Sequence, residues 1–256
     1  MPFTFSHPAI ILPATKLPAR YYSMSALVVG SMTPDFEYFI RMRDFSEYSH
    51  TVAGIFWFDL PLGLMLLFVF HNLVRDTLIR YLPFTFNIRF SFAENFNWNR
   101  YFRNHIPVVL LSLLAGIGSH LLWDSFTHHD DYFAGIIPFL KGETVLLGHE
   151  VYTASVFQIV SSVAGAIILL VYVILLPEGR FTGQRRILNF WLMVTFVMIM
   201  VFNARQYFSP IPPENFDGDA IVTLISGAMI GIVIMAALLG GSRQPSFGNL
   251  QRVRNN

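Results

Sequence analysis

The chain has 256 residues, 54% hydrophobic and 13% charged, too apolar a balance for a soluble domain, which carries roughly a quarter charged residues. Seventeen Lys and Arg stand against sixteen Asp and Glu, a formal charge of +1, so no net attraction to nucleic acid or an acidic partner is implied. Cys is absent, which removes disulfides and thiolate chemistry and leaves His, Asp and Glu as metal ligands.

In chain order, the start has no signal-peptide character: Met1 to Phe5 lacks a basic cluster, and Pro8, Pro13 and Pro18 interrupt any apolar core. Residues 24–33 are apolar over about half a span and predict a short buried or re-entrant helix. Five runs then approach the ~20 residues needed to cross a bilayer: 51–70, 105–123, 155–176, 187–203 and 220–241. All are predicted as helices, because open strands leave backbone groups unsatisfied in hydrocarbon. Pro61 predicts a kink in the first run. Asp59, in the same run, reads equally as a functional intramembrane carboxylate and as a helix-end group within reach of headgroup water. The last three runs hold no charge and carry Gly165, Ala166, Gly227 and Gly231, small residues that permit close helix packing.

The expected fold is an all-α integral membrane protein of about five transmembrane helices. Residues 1–256 form one polytopic domain, with an extracytoplasmic N-terminal segment (1–50), a helical bundle (51–241) and a polar tail (242–256). The N-terminal segment is expected to complete a site at one membrane face. Arg75, Arg80, Arg89, Arg100, Arg103, Arg180, Arg185, Arg186, Arg243, Arg252 and Arg254 share one side and make eleven of the seventeen basic residues. The positive-inside rule puts that side in the cytoplasm.

Consecutive spans alternate direction, so the histidines sort by membrane side. His50 precedes the first span, His120 and His128 lie at the far end of the second, and His149 precedes the third, all on one face. With no crossing by the half-span, His7 and Asp35 join them. In SHLLWDSFTHHDD, His120, Asp124 and His128 are spaced four apart. Each step of four advances about 40° beyond a full helical turn, giving a slanted stripe on one face. Imidazole plus carboxylate is the ligand set for zinc or a similar divalent ion when thiolates are absent. The bland alternative is a polar interface bonded to headgroups. His149 and Glu150 are even candidates as additional ligands. His129, Asp130 and Asp131 read as a solvated loop, in which one carboxylate could orient an imidazole. His71 and His105 read as interfacial groups.

Tyr21, Tyr22, Tyr38, Tyr48, Trp57 and Trp123 suit an interfacial aromatic belt. Neither nucleotide-binding loops nor a serine-hydrolase elbow occurs, so no nucleotide cofactor is expected. The stretch 80–103 mixes Arg, Asn and Phe and reads as a cytoplasmic interfacial helix, with no nucleic-acid partner.

MPFTFSHPAIILP at the start, LVVGSMTPDFEYF at 27–39, SHTVAGIFWFDLPLG at 49–63, GSHLLWDSFTH at 118–128 and YTASVFQIVSSVAG at 152–165 resemble, over roughly residues 1–170, bacterial membrane proteins grouped as domain of unknown function 4184. More distantly, the order His, Asp, His, His-x3-Asp, His is similar to that of membrane-bound metal-dependent hydrolases and of the zinc-dependent phospholipase C and nuclease P1 group. That likeness implies zinc ions, roughly one to three, an all-helical site and phosphoester hydrolysis. His7, Asp35, His50, His120, Asp124 and His128 would then be ligands, with His149 or Glu150 completing the set.

The function expected is a membrane-bound, divalent-metal-dependent hydrolase acting on lipid or lipid-linked phosphate at the extracytoplasmic face of a bacterial inner membrane. Membrane lipid is its partner, and Asp59 is its general base or an outer-shell group. One alternative is a non-enzymatic membrane protein with a structural His/Asp metal site or polar network. The other is a transporter or metal-handling permease.

Overall fold

All five apolar runs are helical in the computed structural model, which describes residues 3–128, 132–146 and 148–240. The proline-rich start folds as 3-10 turns at Thr4–Ala9, Leu12–Lys16 and Ala19–Tyr21. Helix α1 (Met24–Gly30) is the predicted half-span, and a turn at Thr33–Asp35 leads into α2 (Phe36–Arg41).

The first span, α3, runs from Val52 to Arg80. Pro61 does not end it. A π-helical turn at Ile55–Asp59 lies just before the proline, where the ring's missing N–H and its clash with the preceding turn are felt. A second π turn occupies Phe70–Val74. Helices α4 (Phe84–Phe90) and α5 (Trp98–Asn104) fill the first loop, and α6 (Ile106–Thr127) is the second span.

The connection to the third span is structured among the described residues. It contains short helices α7 (Tyr132–Ile136) and α8 (Pro138–Lys141) and an antiparallel hairpin, β1 (Glu143–Leu146) with β2 (His149–Tyr152). Gly148 takes φ +84° at the hairpin turn, a conformation that favours glycine. Three more spans follow: α9 (Thr153–Ile174), α10 (Ile187–Phe208) and α11 (Phe216–Gly240).

Lipid tails are as apolar as the helices, so the bundle is held by close packing of backbones more than by exclusion of water. The contact that positions the site is α1 against α6. A Cβ on Gly30 would stand 2.3 Å from the Leu113 carbonyl oxygen, and one on Gly116 would stand 2.4 Å from that of Leu27. Only glycine permits this approach. Around it Ala26, Leu67, Trp98, Val109, Leu113 and Ile117 form the central apolar cluster. Gly227 and Gly231 do the same for α11 against α10, meeting Met198 and Val194. Gly165 on α9 meets Ser6 instead, with a Cβ position 3.0 Å from the Ser6 carbonyl oxygen. The outward faces carry exposed aliphatic side chains such as Val160, Ile167, Leu192 and Leu238.

Candidate metal centre

Separate segments deliver donors to one end of the bundle. Asp35 comes from the turn after α1, His50 from the residue pair before α3, and His120 and Asp124 from successive turns of α6. One ligand atom from each lies within 4.8 Å of the others. His7, on the first 3-10 turn, adds a fifth group: its Nε2 is 3.5 Å from Asp124 Oδ1, and its ring stacks on His120 at 3.9 Å. The sorting of His7, Asp35, His50, His120 and Asp124 to a single face is therefore what the fold displays.

Local packing explains the placement. His120 lies one helical turn beyond Gly116, so the glycine crossing brings the Ser31 carbonyl against its ring. His120 Nδ1 is 2.8 Å from Ser31 O. A carbonyl only accepts, so Nδ1 carries a hydrogen and Nε2 is the atom turned toward the carboxylates, where a cation would take its lone pair. His50 Nδ1 pairs with Ser49 Oγ at 2.9 Å, again leaving Nε2 toward the cluster. Thr4 Oγ1 donates to Asp35 Oδ2 at 2.5 Å. α9, pressed on Ser6 through Gly165, holds the turn that carries Thr4 and His7.

Sequence reasoning missed Glu37. It is 1% exposed and accepts from the backbone N–H groups of Glu47, Tyr48 and Ser49 and from Arg41 Nε, at 2.7 to 2.9 Å. Burial alone would raise its carboxyl, but the Ser49, Glu47 and Tyr48 N–H groups and the guanidinium together lower it to about 2. This clamp winds the loop that ends at His50, which itself has φ +59°. A glutamate among Phe36, Tyr38, Phe39 and Ile40, shortly before the polar stretch 43–50, was the available signal.

The remaining candidates fall at different distances. His128 stands at the rim: its Nδ1 is 3.9 Å from Asp124 Oδ2, and its Nε2 faces the Gln158 amide at 3.0 Å. Asp59 is fully buried at the end of the first π turn, with neither oxygen hydrogen-bonded among the described residues. That π turn packs against both the Thr33–Asp35 turn and α6. Glu150 is exposed on β2 and is not among the converging donors. The backbone of His149 is on β2, but its side chain, like residues His129, Asp130 and Asp131, lies outside what is described. His71 is enclosed by the bundle. It is 8% exposed and stacks on Trp98 at the other end of the bundle.

A cation fits the donor set on three counts. Two carboxylates, Asp35 at 0% and Asp124 at 2% exposure, are buried together, which is costly unless their charge is compensated. Asp35 Oδ1, Asp124 Oδ1 and the Nε2 atoms of His7, His50 and His120 lack hydrogen-bond partners among the described residues. Finally, the His Nε2 to carboxylate separations are 3.2 to 3.6 Å. Those are long for charge-assisted hydrogen bonds, whereas a tetrahedron with ligands at ~2.0–2.1 Å has edges of about 3.3–3.4 Å. Burial, then the adjacent His120, holds the His7 imidazole down to about 4, so it stays neutral, as a ligand must be.

The molecule is thus an all-α, five-span membrane protein with a buried Asp/His group able to hold a metal ion. The chain belongs to the family described as domain of unknown function (DUF4184), whose model matches residues 1–237. No match was found among curated proteins or among solved structures.

Proposed function

We propose that the protein is a zinc-type metal-dependent hydrolase of phosphoesters in lipid headgroups or lipid-linked phosphates. The observation that carries this reading is the convergence of five unpartnered, buried acceptor atoms from His7, Asp35, His50, His120 and Asp124. When bound, the cation supplies Lewis-acid polarisation of water and of a phosphoryl oxygen. The rest is the work of the chain. Asp35, His50, His120 and Asp124 hold the ion, and His7 closes the set beside Asp124. Asp59, buried with both oxygens unpartnered, holds the proton taken from attacking water. Access runs past His50 and His128, whose side chains are 21% and 32% exposed. Exposed Trp57, Trp123 and Tyr48 surround this end and suit a headgroup layer. Arg75, Arg80, Arg89, Arg100, Arg103, Arg180, Arg185 and Arg186 at the opposite end favour an extracytoplasmic site in a bacterial inner membrane.

A second reading is favoured by one feature: Asp35, His120 and Asp124 are so enclosed that the ion would be structural. One experiment separates the two. Protein purified in detergent and loaded with zinc or manganese is assayed on phospholipid vesicles and soluble phosphomonoesters and diesters, alongside Asp59→Asn. Hydrolysis by the parent, lost in a variant that keeps its metal, supports catalysis. Stoichiometric metal with no hydrolysis of any substrate supports the structural role.

A further inference from the structure

The end of the bundle opposite the His/Asp group holds a cavity of about 1150 Å³, the size of a ligand site and far larger than one water needs. Its wall includes His71, Arg75, Trp98, Asn97 and Thr182. Arg75 is 4% exposed and points Nη1 at His71 Nδ1 at 3.0 Å. A guanidinium only donates, so Nδ1 is the acceptor and the neutral ring carries its hydrogen on Nε2. That N–H has no partner among the described residues, and neither has the indole N–H of Trp98. Trp98 is 1% and His71 8% exposed, and their rings stack at 4.3 Å, 6° from parallel. Two buried donors therefore share one wall with a buried cation.

The acidic groups of the same wall do not meet this demand. Asp76 accepts from Arg75 Nε at 2.7 Å. Glu94 accepts from Arg80 Nε at 3.2 Å and from Thr182 Oγ1. With the charges paired, the wall is left short of acceptors. Leaving buried donors unmade is unfavourable, and an acceptor-only group with several oxygens answers both N–H groups beside the Arg75 guanidinium. We propose that this cavity binds a phosphate-class oxyanion, free or on a lipid headgroup, through the His71 and Trp98 N–H groups and the Arg75 guanidinium. The site is independent of the metal centre and stands whether or not the protein is a hydrolase.

The test is the indole N–H resonance of Trp98 in ¹⁵N-Trp-labelled full-length protein, assigned by removing the other three tryptophans one at a time (Trp57→Phe, Trp123→Phe, Trp191→Phe). In one arm, protein in phosphate-free maltoside detergent is titrated with inorganic phosphate against chloride at matched ionic strength. In the other, nanodiscs of phosphatidylglycerol are compared with discs of a phosphate-free galactolipid. A saturable shift of the Trp98 resonance is expected in at least one arm. Response to inorganic phosphate identifies the free ion as sufficient, and response to phospholipid discs alone identifies a headgroup. Arg75→Gln should weaken the response about tenfold or more, with Arg75→Lys as substitute if that variant does not fold. A Trp98 resonance unmoved in both arms, or equal binding in the Arg75 variant, overturns the proposal.

Discussion

The two ends of the bundle are opposites in hydrogen-bond chemistry, and the same residue type shows why. At one end His120 Nδ1 donates to a backbone carbonyl, so Nε2 faces the carboxylates, where a cation can take its lone pair. At the other, His71 Nδ1 accepts from Arg75, so Nε2 is a donor beside an indole N–H. One end has acceptors to spare and suits a cation; the other has donors to spare and suits an anion. What a buried histidine does is set by the partner of its second nitrogen, which residue spacing does not reveal.

The contrast breaks most directly at the ligands. Asp35→Asn or His120→Ala should lower metal affinity by more than the ~10–100-fold typical of an outer partner, measured by metal competition. Either variant binding like the parent would remove the cation from the account. Glu37→Gln, which touches no donor atom of the cluster, should still lower affinity about 10–100-fold by loosening the loop that presents His50. Unchanged affinity would make the clamp irrelevant to the site. Gly116→Ala should destabilise by about 1–3 kcal/mol, because its methyl would sit 2.4 Å from the Leu27 carbonyl oxygen. It should also weaken metal binding by shifting Ser31 from His120; thermal melts with and without zinc read both effects.

The smallest effect is a pH slope. His7 titrates at about 4 in the fold against 6.5 in the unfolded chain. Its contribution is thus fully present above 6.5 and is lost as the pH falls through that window toward 4 and below. Melts of metal-stripped protein should show stability falling with acidification there, and His7→Gln should flatten the slope. An equal slope in the variant would assign it to another group.

Much of this was legible in the sequence because membrane spans and helical stripes are periodic. The five helices, the glycines of the later spans and the His120–Asp124 pair follow from hydropathy and a spacing of four. The sorting of His7, Asp35 and His50 to the same end followed from counting crossings. The supporting contacts did not follow. The Ser31 carbonyl, the loop amides on Glu37 and the π turns around Asp59 and His71 are backbone features that side-chain identity does not encode. Glu150 illustrates the opposite error: a ligand-type residue near the right face, carried outward by a hairpin that hydropathy did not foresee. The burial of His71 did not follow either, because its neighbour in space, Trp98, is 27 positions away in an intervening loop.

The central claim is best tested by elemental analysis of the detergent-purified protein, paired with a thermal melt before and after chelation. The account predicts about one or more divalent ions per chain and a melting midpoint that falls on chelation and recovers with zinc. A folded protein free of metal, whose midpoint neither chelator nor zinc moves, would contradict it.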